Sequence, residues 1–371
     1  MNKILSWSLL AGASAITLLS CTDDEPKYII VDKVEPVEMT WALADSLWNE
    51  YASAPFVEAD ETIPTDPEAY FYKDFYENWI DPTEDETRDI VITYKEDTVK
   101  ITYEDDGRKT KTLVKCTARG AHVTIHNDSL DYMLAEPAVG RARMNYILRG
   151  TSANGSLRIY SNRKFRITLD GVNLTNPNGA AINIQKSYDK KRAFICLAND
   201  TENTLCDGEV YSDTIAGEDD KACLFSEGKM VFCTISDKGK VGDGTGKLTV
   251  TGRYNHAIAS DSRIYIHRGV ELVVANAVKD GIHSDALVMG GGLVKVFAAK
   301  DAVQCEDSTK CGLQLLGGRL LSCGKRALTT PSFNYVGGDF VQVGNLTSQP
   351  SEGQSNWEKV EQKGYSILHS N

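Results

Sequence analysis

Four carboxylates, Glu227, Asp261, Asp285 and Glu306, fall at the same step of a short phrase that recurs along residues 179–330. The phrase reads Cys223-Leu224-Phe225-Ser226-Glu227, Ala257-Ile258-Ala259-Ser260-Asp261, Gly281-Ile282-His283-Ser284-Asp285 and Ala302-Val303-Gln304-Cys305-Glu306. Ala181-Ile182-Asn183-Ile184 is an earlier partial copy and Ala327-Leu328-Thr329-Thr330 a worn last one. If the copies stack, the carboxylates form a ladder. Like charges one strand spacing apart repel unless solvent, a proton or a cation intervenes. Calcium suits such a row, because it takes roughly six to eight oxygen ligands in a flexible geometry. Asp280 and Asp301 immediately precede two of the corners and could complete the set. The competing reading is an acidic rim in water. No EF-hand loop is present, so the chemistry rests wholly on stacking.

Sugar-binding side chains can be sought around the same copies. The rings of Tyr254 and Tyr265 could cover sugar C–H faces. Arg263 and Arg268 could take a uronate carboxylate, and His256 and His283 stand beside them. Ordinary packing and surface salt bridging compete with each of these roles.

Stacking requires a repeating element. The anchors Leu224, Ile258, Ile282, Val303 and Leu328 are 34, 24, 21 and 25 positions apart. Strand-like runs and glycine or polar turns fill the intervals. A period in the low twenties built from short strands is the signature of a parallel β-solenoid. The expected fold class is all-β, a right-handed parallel β-helix with an acidic N-terminal extension. A leucine-rich repeat would need an Asn or Cys register that is missing, and helical repeats would need longer periodic runs. A β-sandwich explains many short strands but not the phrase. The acidic stretch Ser212–Lys221, with Asp213, Glu218, Asp219 and Asp220, reads as an insertion projecting from the coil. His122 and His126 lack a third ligand and read as surface histidines. The glycines of Val241–Gly246 lack the Gly-Lys-Ser/Thr ending of a phosphate loop.

The 371 residues carry a formal charge of −12, which argues against nucleic acid as a partner. Lys3, the apolar run Ile4–Leu19 and the ending Leu18-Leu19-Ser20-Cys21 form a lipoprotein signal, so residues 1–20 are expected to be removed and Cys21 to carry lipid. The acidic Asp23-Asp24-Glu25 behind it resembles the surface-export signal of Bacteroidetes lipoproteins. That resemblance implies outer-membrane attachment through the lipid anchor, with the body exposed at the cell surface. Residues 21–89 read as an acidic tether and packing segment, with an amphipathic helix over Met39–Tyr51 and an aromatic cluster at Tyr70-Phe71-Tyr72. Residues 346–371 read as a C-terminal cap. Eight further cysteines form no zinc pattern, and their spacing demands no disulfide.

Within residues 90–345 a family resemblance emerges. Ile167-Thr168-Leu169-Asp170-Gly171-Val172-Asn173-Leu174, Gly179-Ala180-Ala181-Ile182, Leu224-Phe225-Ser226-Glu227-Gly228 and Asp280-Gly281-Ile282-His283-Ser284 carry it. The stretch resembles the bacterial carbohydrate-binding domain-containing β-helix family, whose members are similar to pectate-lyase-like right-handed β-helices. One branch binds calcium and galacturonate-containing polysaccharide. This chain departs from the family in placing Ala181, Cys223, Ala257, Ala302 and Ala327 where several copies have glycine. The resemblance implies non-catalytic, calcium-assisted binding of a polysaccharide, an acidic, polygalacturonate-like one. A uronate lyase using Arg253, Arg263 or Lys279 is the alternative, and a structural or adhesive lipoprotein with a surface-protein partner is a third.

Overall fold

The computed structural model describes residues 87–103, 114–127, 143–161, 164–186, 192–236, 244–346, 357–362 and 365–370. They all belong to one compact unit, Met39–Asn371. The signal segment, Cys21, the acidic tether, the helix expected over Met39–Tyr51 and the aromatic cluster lie outside the described residues.

Every regular element among the described residues is a strand. Each round of the chain contributes to three parallel ladders. The first runs from Thr87–Lys95 through Arg143–Ser152, Arg192–Ala198 and Lys229–Ile235 to Leu313–Leu315 and Phe333–Tyr335. The second includes Thr201–Asp207, Gly246–Gly252, Val270–Ala277 and Leu293–Phe297. The third stacks Ala121–Asn127, Gly155–Ser161, Ile182–Lys186, Ala222–Ser226 and Asp301–Cys305 with the first halves of His256–Ile266 and Ile282–Met289.

Period-two alternation in the third ladder sends one column of side chains inward. The column is Val123, Leu157, Ile182, Leu224, Ile258, Ile282, Val303 and Leu328, paired one above the next. All are essentially buried, and each such side chain contributes about 1.5–3 kcal/mol by leaving water. The anchors of the recurring phrase are this column, so the register expected from the sequence is the register observed.

One feature differs from a plain solenoid of separate short strands. Long strands carry hydrogen bonding around the corners, so the ladders join into a single parallel wall closed on itself like a barrel. Phe165–Asn176 pairs within the first ladder as far as Leu169 and within the second from Val172. His256–Ile266 passes from the third to the first, and Arg319–Thr329 from the second to the third. Asp170-Gly171 is a bend that leaves the strand unbroken. Gly171 supplies the positive φ of 70° that the bend needs.

Tighter turns use stacked glycines. Gly292, Gly318 and Gly338 have φ of 81°, 82° and 85° on successive rounds. A Cβ on any of them would fall within 2.5 Å of backbone, so a side chain there is excluded by both strain and space.

Antiparallel hairpins flank the stack at both ends. Thr98–Tyr103 pairs with Thr87–Lys95, and Lys115–Arg119 with Ala121–Asn127. Tyr365–Ser370 pairs antiparallel with both Trp357–Gln362 and Asp339–Leu346.

Candidate functional site

The outward column of the third ladder alternates with the core column. It runs Thr124, Arg158, Asn183, Phe225, Ala259, His283, Gln304 and Thr329. Over the early rounds it is covered. Residues 212–221 fold back onto it instead of projecting as expected. Arg158 Nη1 lies 3.3 Å from Glu218 Oε2, and Nη2 lies 3.6 Å from Asp220 Oδ1. Asn183 Nδ2 donates to Asp220 Oδ1 at 2.7 Å, Gln185 Nε2 to the Asp219 carbonyl at 2.9 Å, and the Tyr160 hydroxyl to Glu218. The driving force is direct: an acidic loop meets the one arginine of the column and a row of amide donors.

Over the later rounds the same face is open, as a cleft of about 490 Å³. Ser260, Asp261, Ser284 and Asp285 line it from the repeated phrase, with Glu306 from the next copy. The strand register places Ser226, Ser260, Ser284 and Cys305 one above another, and the carboxylates that follow the last three, Asp261, Asp285 and Glu306, line one cleft. Glu227 is not among the residues lining the cleft. The acids do not stand alone. Lys221 Nζ reaches Asp261 Oδ1 and Asp219 Oδ2, both at 2.9 Å. Lys310 bonds Asp285 and lies 3.2 Å from Asp307. These lysines are the site residues that the sequence reading missed. They sit between copies of the phrase, where no periodicity marks them.

At the cleft's inner end two imidazoles meet a fully buried carboxylate. Asp280 is 0% exposed and His256 7%. His256 Nδ1 and His283 Nδ1 each lie 3.1 Å from Asp280 Oδ2. The two rings are 4.2 Å apart and tilted by 32°. His283 Nδ1 is aligned to hydrogen-bond with Asp280. His256 Nδ1 is close to Asp280 but not aligned with it, and has no hydrogen-bond partner. Asp280 Oδ1 accepts from the Asp301 N–H at 3.3 Å and faces Lys300 Nζ at 3.3 Å. Burial alone would raise the Asp280 carboxyl, but the two histidines and Lys300 outweigh it and hold the group well below the usual carboxylate range. Burial likewise lowers the His256 imidazole, against the pull of Asp280.

The remaining sequence candidates are placed as follows. Asp301 is also 0% exposed, is held by Arg326, whose Nη2 lies 2.6 Å from Oδ2, and does not line the cleft. Tyr254 is 43% exposed. Its ring stacks at 4.2 Å on Tyr211, whose hydroxyl donates to the buried Asp207 at 2.7 Å. Asp207 also accepts the Arg253 N–H at 2.5 Å, so the exposed ring rests on an anchored one. Burial pushes the Asp207 carboxyl up to about 6, despite those donors. Tyr265 is the correction. It is buried among Phe194, Val231 and Val288 in a side cluster of the first ladder and presents no face to a sugar. Packing of neighbouring rounds covers the ring. Arg263 stands beside it past a register shift in His256–Ile266, and Arg268 lies in the following turn. Neither lines the cleft. His122 pairs with Ser156 Oγ at 2.9 Å, and His126 stacks on Tyr160. All eight cysteines from Cys116 onward are free thiols.

The sequence profile of the family described as "Carbohydrate-binding domain-containing protein" matches residues 135–332, which hold both halves of this face. The chain belongs to this family. A solved structure described as the polysaccharide lyase-like protein from C. thermocellum, a gadolinium derivative, is similar at 18% identity and a TM-score of 0.47. The match covers 72% of this chain and 95% of that one. Among curated proteins no match is found.

Proposed function

We propose that the chain binds a polysaccharide along the open half of the third ladder without cleaving it. The observation that carries this reading is the cleft of about 490 Å³ beside an exposed, anchored Tyr254. Asn255 and His256 of the cleft follow Tyr254 directly in the chain. Serine, asparagine and carboxylate groups suit sugar hydroxyls, which both donate and accept. The Tyr254 ring supplies the apolar face that such sites pair with polar groups. Family membership supports carbohydrate as the ligand class.

The finer form of the reading is calcium-assisted binding of a uronate-rich chain. In that form calcium takes carboxylate oxygens from Asp261 and Asp285, and the released Lys221 and Lys310 turn to the uronate carboxylates. The right-handed sense of the coil belongs to the same reading and rests on the crossover preference of parallel strands. So does tethering at the outer membrane through Cys21.

Titration calorimetry with a polygalacturonate-type oligomer, a neutral glucan and a chelator control is the test. Tyr254→Ala should weaken binding by roughly tenfold, about 1.4 kcal/mol, with the fold intact. Asp261→Asn combined with Asp285→Asn should abolish the calcium dependence. A wild type that binds no glycan of either kind ends the proposal. Release of unsaturated oligosaccharides would replace it with a lyase.

A further inference from the structure

We propose that His256, Asp280 and His283 form a binding site for a first-row transition-metal ion such as Zn2+, separate from any calcium held by the acidic row. One donor atom from each residue lies within 4.8 Å of the other two. Both nitrogen-to-oxygen separations are 3.1 Å. The edge of a tetrahedron with metal–ligand bonds near 2.0–2.1 Å is roughly 3.3 Å. Both nitrogen-to-oxygen separations are therefore close to the edges of a tetrahedral site.

The donor set selects the metal class. Two imidazoles and one carboxylate suit zinc and its neighbours, whereas calcium takes oxygen. The unpartnered Nδ1 of His256 is the second observation. It is nine-tenths buried and lies 3.1 Å from Asp280 Oδ2, yet without the alignment of a hydrogen bond. Buried polar atoms left in that condition call for an explanation, and a metal bond supplies one.

The surroundings hold the donors as metal sites require. His283 Nε2 lies 3.4 Å from Glu306 Oε1, which orients the ring and leaves Nδ1 for an ion. Glu306 is itself fixed by Gln304 Nε2 at 2.8 Å. The second oxygen of Asp280 is occupied by Lys300 and the Asp301 N–H, so Oδ2 is the one offered. Both histidines line the cleft. A bound ion would thus have an open side for water or a sugar hydroxyl. The site does not depend on glycan binding, because Tyr254, Asp261 and Asp285 are not among its ligands.

The test uses the full chain stripped of metal. Calorimetry with Zn2+ should show one site per chain, unaffected by excess Ca2+. His256→Ala should weaken it by about a hundredfold, and Glu306→Ala by about tenfold through loss of the orienting partner. Co2+ should give visible d–d bands without a thiolate charge-transfer band, which separates this site from the cysteines. If circular dichroism shows that His256→Ala does not fold, His283→Gln decides the same question, because its side chain is partly exposed. Absence of Zn2+ binding in wild type, binding retained in both histidine variants, displacement by Ca2+, or a thiolate band would each overturn the assignment.

Discussion

The early and late rounds of the third ladder share one backbone and one register, yet they meet the surroundings differently. In the early rounds Arg158, Asn183 and Gln185 are satisfied by Glu218, Asp219 and Asp220 of the chain's own loop. In the late rounds Ala259, His283 and Gln304 occupy the same column beside an open cleft. The covered half shows what the face attracts: acidic groups and carbonyls, brought by a loop of the chain itself. The open half has reversed its charge, with Asp261, Asp285 and Glu306 on the rim and lysines arriving from outside the phrase. A basic half sealed by an acidic loop and an acidic half countered by lysines are two solutions to one problem. An outward polar column must be hydrogen-bonded or left wet.

The largest expected effect comes from unsealing the covered half. Glu218→Ala with Asp220→Ala strips Arg158 of both carboxylate partners, whose side chains are only 13% and 9% exposed. Stability should fall by about 2–3 kcal/mol, read from urea unfolding. The same variant should gain affinity for acidic oligosaccharides, because the arginine becomes available. Unchanged stability would mean that the loop merely lies on the face.

Asp207 gives a pH-dependent contrast between the two halves, since it props the Tyr211–Tyr254 stack at their boundary. Its folded-state value, about 6, is raised from 3.8 by burial. A raised carboxyl contributes stability at low pH that is lost as pH rises through about 6. Wild type should therefore lose stability relative to Asp207→Asn between pH 4 and pH 7, measured by thermal unfolding at each pH. A flat difference would show that the donors from Tyr211 and Arg253 compensate fully.

Much of this was legible in the sequence. The anchors Leu224, Ile258, Ile282, Val303 and Leu328 were readable because a buried column requires one apolar residue per round, and nothing else satisfies it. The serine and carboxylate steps followed from the same register. Lys221 and Lys310 were not legible, since they reach the site from turns, where spacing carries no phase. Tyr265 misled because a tyrosine in a strand reaches solvent only if nothing packs over it. The continuous corners were hidden for a related reason. Asp170-Gly171 marks a change of direction, but not whether hydrogen bonding survives it. The docking of residues 212–221 depended on Arg158, more than 50 positions earlier.

The smallest effect concerns the lysines. Lys221→Ala and Lys310→Ala remove ion pairs whose side chains remain partly exposed, so each should cost less than about 1 kcal/mol. In thermal unfolding they should be nearly silent. A large loss would place these pairs with the sealed half of the face and narrow the difference between the two.

A parallel stack ends with a round whose edge has the same polarity as the edge beneath every other round. Two molecules could in principle join head to tail and keep growing. The reversed strands at either end change that. At the first end the described edges, Thr98–Tyr103 and Lys115–Arg119, run against the direction of the rounds, so a second molecule offering a parallel strand there finds the wrong hydrogen-bond pattern. The chain is thereby a measured length, not a unit of a filament. Its dimension along the axis is set by how many copies of the phrase were retained, at about 4.8 Å each. Duplication of one 21-residue interval, such as that between Ile282 and Val303, would lengthen the binding face by a single step while the flanking hairpins stayed as they are.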